Sequence, residues 1–238
     1  MVDPGASAPV AGGNLILNAM DPDERERLMP RLTRVPLALR MPLEEPNQPV
    51  EKVCFPLSGL VSRVAVAVDL RQEVGLVGPE GMTGLAVVLG AGMSPHRLFV
   101  QVSGEAWRIE ADDLARALDE FPSLRSAALR WAHVCMVQIS QTALVNARNT
   151  IEERLARWLL MCEDRLGTRL IAITHDFLSL MLNVHRPGVT LALHTLEGAG
   201  YIRAERGLVT ILDREALIDV AGDGYGVAER EQRRLFGD

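Results

Sequence analysis

Lysine is nearly missing from this chain. Lys52 is the only one in 238 residues, and arginine supplies every other strong cation. A GC-rich genome explains that bias as readily as selection for guanidinium chemistry. Strong positive charge is absent too: the net charge is −6 with a pI near 5.5, which argues against a general nucleic-acid coat protein. Cysteine is scarce. Cys54, Cys135 and Cys162 are far apart and odd in number, so no disulfide framework is implied and a reducing cytoplasm is expected. The opening MVDPGASAPVAGGN has neither a basic nor an apolar leader segment, and no apolar run reaches membrane-spanning length, so no membrane partner is expected. No nucleophile elbow, Walker loop or dinucleotide fingerprint occurs, and His133 and Cys135 stand two apart, poor spacing for a metal on a helix. The pairs Glu44/Glu45 and Asp112/Asp113 signal a loop and a helix start. No residue constellation supports an enzyme.

What is present is best read from residues 173–212. Thr174 is a good N-cap, and the apolar run after it suits a short buried helix. Asn183 tolerates the left-handed conformation that ends a helix. Val189, Ala192, Leu193 and Leu196 then fall at i, i+3, i+4 and i+7, one apolar stripe that Gly198 and Gly200 close. Residues 201–204 and 208–212 read as a hairpin around Glu205, Arg206 and Gly207. Helix, turn, helix, hairpin is the order of a winged helix-turn-helix, whose second helix enters the major groove. Arg186, Pro187, Thr190, Leu191 and His194 lie off the buried stripe. Residues 169–206 hold four arginines against three carboxylates, so phosphate contacts would also need backbone N–H groups and helix N-termini. A small helical subdomain is the plainer alternative.

Residues 1–13 are small residues, Pro and Gly, expected as a disordered tail. Residues 14–32 read as helix in two parts, with Asp21 capping the second and Pro22 in its first turn. Residues 35–39, 53–55, 61–68, 73–77, 98–102 and 106–109 are short strand-like runs, the texture of a small antiparallel sandwich or barrel. Gly78, Gly81 and Gly84 sit in one loop before an apolar run, either a phosphate cradle or a tight turn. Residues 123–147 form the longest helical stretch, apolar on more than one face. It needs two surfaces to pack on: the β domain and either a partner subunit or one larger core. Thr150 with Glu153 forms a capping box, so a fresh helix begins after Asn149.

In this order the chain resembles the Crp/Fnr family of bacterial transcription regulators, over roughly residues 14–217. FPLSGLVS (55–62), VGPEGMTGL (77–85), TIEERLARWLL (150–160) and the helix-turn-helix carry the resemblance. It implies an α+β fold: a cyclic-nucleotide-binding-type β-roll sensor (14–121), a dimerisation helix and hinge (122–149) and a winged helix-turn-helix (150–238). It also implies a cytoplasmic homodimer on palindromic double-stranded DNA, with RNA polymerase as a further partner. By that likeness, DNA contacts fall to Thr174, His175, His185, Arg186, Pro187, Thr190, Leu191, His194 and Arg206. The effector pocket falls to Gly81, Met82, Thr83, Gly84, Arg97 and Leu98, and the dimer contact to Trp131, Cys135 and Ile139. The sequence departs from members that bind cyclic AMP. No acid follows Gly81, and His96–Arg97–Leu98 stands where an Arg-Ser or Arg-Thr pair is usual, so cyclic AMP is not the expected ligand. Four clustered N-terminal cysteines for an iron–sulfur centre are absent, and a haem has no recognisable ligand pair. Pro187 and Leu191 replace the usual Glu and second Arg of the reading helix, so a different operator is expected; Arg186 remains for guanine. The rival reading is a ligand- or partner-binding β-roll whose DNA-reading helix has decayed.

Overall fold

A computed structural model describes residues 13–68 and 71–237; residues 1–12 of the expected tail lie outside the described residues. Asn14 opens the fold. Its Oδ1 accepts from the amides of Ile16 and Leu17 and so starts α1 (Leu15–Asn18), while its Nδ2 donates to the carbonyls of Pro56 and Gly81 at 3.0 and 2.7 Å. One buried amide thereby fixes the first helix onto the β domain. Asp21 caps α2 (Pro22–Leu28) as expected.

Seven strands follow: β1 (Thr33–Leu37), β2 (Pro42–Glu44), β3 (Lys52–Pro56), β4 (Leu60–Val66), β5 (Arg71–Val77), β6 (His96–Val102) and β7 (Gly104–Glu110), with α3 (Leu85–Val88) between β5 and β6. They form two antiparallel sheets, ordered β1-β7-β3 and β2-β6-β4-β5. The strand β2 gave little sequence signal because it is three residues long, starts at Pro42 and pairs irregularly. After β7 come α4 (Ala111–Glu120) and the 27-residue α5 (Pro122–Arg148). The apolar face of α5 closes the roll: Leu124, Ala127, Ala128, Trp131, Val134 and Cys135 share one core with Val53, Phe55, Val77, Met82 and Leu114.

At Asn149 the backbone turns extended, and the Thr150–Glu153 capping box starts α6 (Ile151–Leu166). Then come β8 (Leu170–Ala172), α7 (His175–Leu182), α8 (Arg186–Gly198), β9 (Ile202–Glu205), β10 (Leu208–Ile211), α9 (Arg214–Ala221) and α10 (Val227–Phe236). The hairpin β9–β10 is joined by β8 in one antiparallel sheet, β8-β10-β9. The core here is built from α6, α7, α8 and this sheet, and Leu60 and Leu76 of the roll belong to it. The two halves of the chain therefore meet through an apolar contact, extended by the edge-to-face stack of Phe99 on Phe177.

The last helix was not anticipated. α10 folds back along α5, where Arg130 donates to the Leu235 carbonyl and His133 bonds Glu231 at 2.7 Å. Arg234 and His133 together hold the Glu231 carboxyl down at about 2. Among the described residues no helix is long and apolar enough to cross a membrane.

Candidate nucleic-acid interface

The helix-turn-helix forms as the sequence dictates. The Thr174 hydroxyl caps α7 by accepting from the Phe177 amide, and Asn183 ends it at φ 50°. His185 then precedes α8, with Pro187 in the first turn, where a missing N–H costs no helical bond. Val189, Ala192, Leu193 and Leu196 are buried. That commits the opposite face of α8 to solvent: Arg186, Pro187, Leu191 and His194 are exposed, with Leu191 65 % exposed. Gly188 sits close to Ile151, where a Cβ would lie 3.1 Å from the Ile151 Cδ1, so α8 rests tightly on α6. No side chain caps the N-terminus of α8, which leaves its amide end and dipole facing outward, the arrangement that favours a phosphate.

The hairpin completes the surface. Thr174, His175, Arg186, His194 and Arg206 line one cleft of about 650 Å³ between the two helices and the β9–β10 turn. Gly207 at φ 78° makes that turn possible, and the Glu197 carboxylate accepts from the Ala204 amide, tying the hairpin to α8. Two residues expected here, Thr190 and His185, do not line the cleft. Thr190 and His175 bond each other at 3.2 Å and so lock α7 to α8. His185 lies away from the cleft, beside Val68, Arg71 and Asn183. The electrostatics are mixed: Asp176, Glu197 and Glu205 line the same cleft as Arg186 and Arg206, and Asp176 pairs with Arg186 at 3.1 Å. This surface pair is solvent-screened, so the arginine is held loosely and is free to exchange its partner.

The glycine-rich loop is consumed by the chain itself. The Trp131 ring lies so close to Gly81 that a Cβ there would sit 2.1 Å from it, and its Nε1 donates to the Met82 carbonyl at 2.9 Å. The Thr83 hydroxyl accepts from Cys54 N, the Gly84 amide donates to Glu44, and the Gly78 amide donates to Glu80. Burial raises the Glu44 carboxyl, against the pull of the Gly84 amide and Arg63. The expected effector set is corrected in two places. Arg97 turns outward and forms a two-nitrogen contact with Glu45 at 3.0 and 2.8 Å, and Leu98 is buried in the core. Strand alternation accounts for both, because neighbouring residues on β6 face opposite ways. Within the roll, a buried cation is Arg63 on β4, 4 % exposed, near enough to Glu44, His96 and Cys135 to shift all three. A lone arginine amid valines gave no sign of burial in the sequence.

The dimer set is corrected as well. Trp131 and Cys135 are 0 % and 2 % exposed within one chain, so neither has surface left for a partner. The outward stripe of α5 is instead Leu129, Met136, Ser140, Ala143 and Ala147, with Leu129 and Met136 45 % and 60 % exposed. Ile139 is half-buried at its flank. A helix with two apolar faces gives no sequence sign of which face meets the roll. All three cysteines are free and buried, and burial lifts the Cys54 thiol to about 11. Among the described residues no group of three His, Cys, Asp or Glu side chains could hold a metal.

Between the halves of the chain lies a polar junction. Glu73 of β5 accepts from Trp158 Nε1 of α6 at 2.7 Å, and its second oxygen is buried without a partner. Burial pushes its carboxyl up to about 7, against the pull of Ser62, Trp158, Arg157 and Arg165. Nearby, Arg165 of α6 bonds Glu80 at 2.8 Å, both side chains being almost wholly buried.

A β-roll, a long helix and a winged helix-turn-helix stand in that order in one chain. Residues 153–220 match the Crp-like helix-turn-helix domain family. Solved structures of similar fold include a protein from Eubacterium rectale described as a transcriptional regulator of the Crp/Fnr family, with a TM-score of 0.68 and 15 % identity over 87 % of this chain and 97 % of that one. The c-di-GMP responsive global regulator CLP of Xanthomonas campestris aligns with a TM-score of 0.67 and 17 % identity over 80 % of this chain and 99 % of its own. FixK2 of Bradyrhizobium japonicum gives 0.67 and 16 % over 80 % and 98 %. No curated protein matches the chain by sequence. Residues 153–220 thus carry a Crp-like helix-turn-helix domain, and the chain shares its fold with Crp/Fnr regulators of known structure over as much as 87 % of its length.

Proposed function

We propose that the chain works as a homodimer that binds a palindromic DNA operator, with α8 in the major groove. The observation that carries this reading is the division of α8 into two faces. One is wholly buried by its own domain, and the other projects Arg186 and His194 into a cleft that Arg206 of the hairpin completes. Arg186 reads a guanine by its two-nitrogen fork, the exposed Leu191 offers a methyl-sized apolar contact, and Arg206 and the α8 amide end hold phosphates. On docking, the guanine edge takes the place of Asp176 at Arg186.

The pairing surface is the α5 stripe Leu129, Met136, Ser140, Ala143 and Ala147. Its small residues allow close helix approach, and its seven-residue spacing from Leu129 through Met136 to Ala143 suits a helix seam. The same geometry supports an effector other than cyclic AMP, since the loop of residues 78–84 spends its polar groups on Cys54, Glu44 and Glu80.

Selection from random duplex DNA with the purified chain, at a fixed stated salt concentration, tests the reading. The expected result is a palindrome with half-sites about one helical turn apart. A folded dimer that enriches no motif, with or without added cell extract, overturns it.

A further inference from the structure

A second cleft opens between the roll and the DNA-binding half, sharing Thr174 and Gly207 with the cleft at the α8 surface. Its volume is about 410 Å³, within the range of small-ligand sites. Leu39 and Val102 of the roll face Ala172 and Phe177 across it, so its walls are mostly apolar, and Leu39 is left 58 % exposed. Three polar side chains stand on the roll side: Gln101, Arg40 and the hydroxyl of Ser103. Gln101 is 3 % exposed; its Oε1 accepts from the Ser62 hydroxyl at 2.5 Å, and its Nε2 is buried with no acceptor. A buried donor left unused is costly, and it marks the inner end of the cleft as short of one acceptor. Arg40 lies beside it, because the Arg40 amide donates to the carbonyl of Val100 at 2.8 Å. Arg40 is also one of three non-glycine residues at positive φ among the described residues, at 66°, a conformation that turns the chain sharply at the mouth of the cleft. No carboxylate lines the cleft.

We infer that this cleft binds a small apolar carboxylate, whose oxygens accept from Gln101 and face the Arg40 guanidinium while its hydrocarbon body fills the space between Val102, Ala172 and Phe177. The occupant is an acceptor because Gln101 Nε2 and the Arg40 guanidinium can only donate and the Ser103 and Thr174 hydroxyls can donate too, and it is an anion because the charge in the lining is positive. It must be largely apolar because the facing walls are. Such a ligand touches both halves of the chain, so its affinity depends on how they sit, and it biases that arrangement. Any bearing on DNA rests on the function proposed above; binding to the cleft does not, and it is measured without DNA.

The test is calorimetric titration of the full chain with 1-naphthoate, beside the neutral 1-naphthylmethanol. One saturable site is expected for the acid. Ala172→Trp fills the cleft and should weaken binding about tenfold or more. Arg40→Gly removes the charge and relaxes the backbone, and should weaken the acid while leaving the alcohol unchanged. Circular dichroism melts report whether each variant is folded; should the tryptophan variant fail to fold, the Arg40 variant decides. Absence of saturable heat with the folded wild-type chain sinks the proposal, as does wild-type affinity in a folded Arg40→Gly chain.

Discussion

The indole of Trp158 reaches across the junction between the two halves of the chain and donates to the Glu73 carboxylate at 2.7 Å. The other carboxylate oxygen is buried without a partner. This contact links β5 of the roll to the first helix of the helix-turn-helix half, so its strength bears on how rigidly the two are held.

Its pH dependence follows from burial. The Glu73 carboxyl is pushed up to about 7 from an ordinary 4.5. Between those values the unfolded chain gives up the proton first, so the stabilisation present below pH 4.5 is lost as pH rises through 7. The loss amounts to as much as about 3 kcal/mol. Glu73→Gln keeps an acceptor for Trp158 and cannot ionise. Urea unfolding of wild type and variant across this window should show the variant gaining on the wild type as pH rises; parallel curves would contradict the assignment.

The buried pair Arg165–Glu80 should show the asymmetry of internal charges. Arg165→Met leaves the buried Glu80 carboxylate without its cation, with the Gly78 amide still donating to it, and should cost about 3–5 kcal/mol. Adding Glu80→Gln should restore a good part of that. A double variant no more stable than Arg165→Met would show that the arginine acts through packing alone.

Arg186 and Asp176 predict opposite effects on DNA. Arg186→Ala should lose roughly 1–3 kcal/mol, concentrated at one base position. Asp176→Asn frees Arg186 and removes a negative charge from the cleft, so it should tighten binding. Fluorescence anisotropy with the selected operator and its single-base variants measures both, and melts should be unchanged because both side chains are exposed.

On α5, two substitutions five residues apart should behave differently. Met136→Glu places a charge on the outward stripe and should give folded monomers by sedimentation velocity. Trp131→Ala removes the ring from against Gly81 and should destabilise the chain itself by about 3–5 kcal/mol. A Met136→Glu chain that remains dimeric would move the interface elsewhere.

The parts of the fold that were legible in the sequence depend on near neighbours. The Thr150–Glu153 box, the Asn183 turn and the buried stripe of α8 are each fixed within a few residues, and each formed as read. What was not legible depends on distant placement. Trp131 and Met136 are both apolar residues on one helix, and only the docked roll decides that the first is covered. Arg97 and Arg63 look alike in sequence, yet one pairs with Glu45 at the surface while the other is buried. The return of α10 along α5 carries no local mark at all, since its contacts join residues about a hundred positions apart.

The capped break at Asn149 and Thr150 also governs how disorder spreads. Helical order propagates through successive carbonyl-to-amide bonds, and here that ladder is cut and each end closed separately. Fraying at the foot of α5 therefore stops at the junction instead of running into α6. Amide exchange should then divide the two helices into separately opening blocks, and the reading head can stay intact while the rod that carries it loosens.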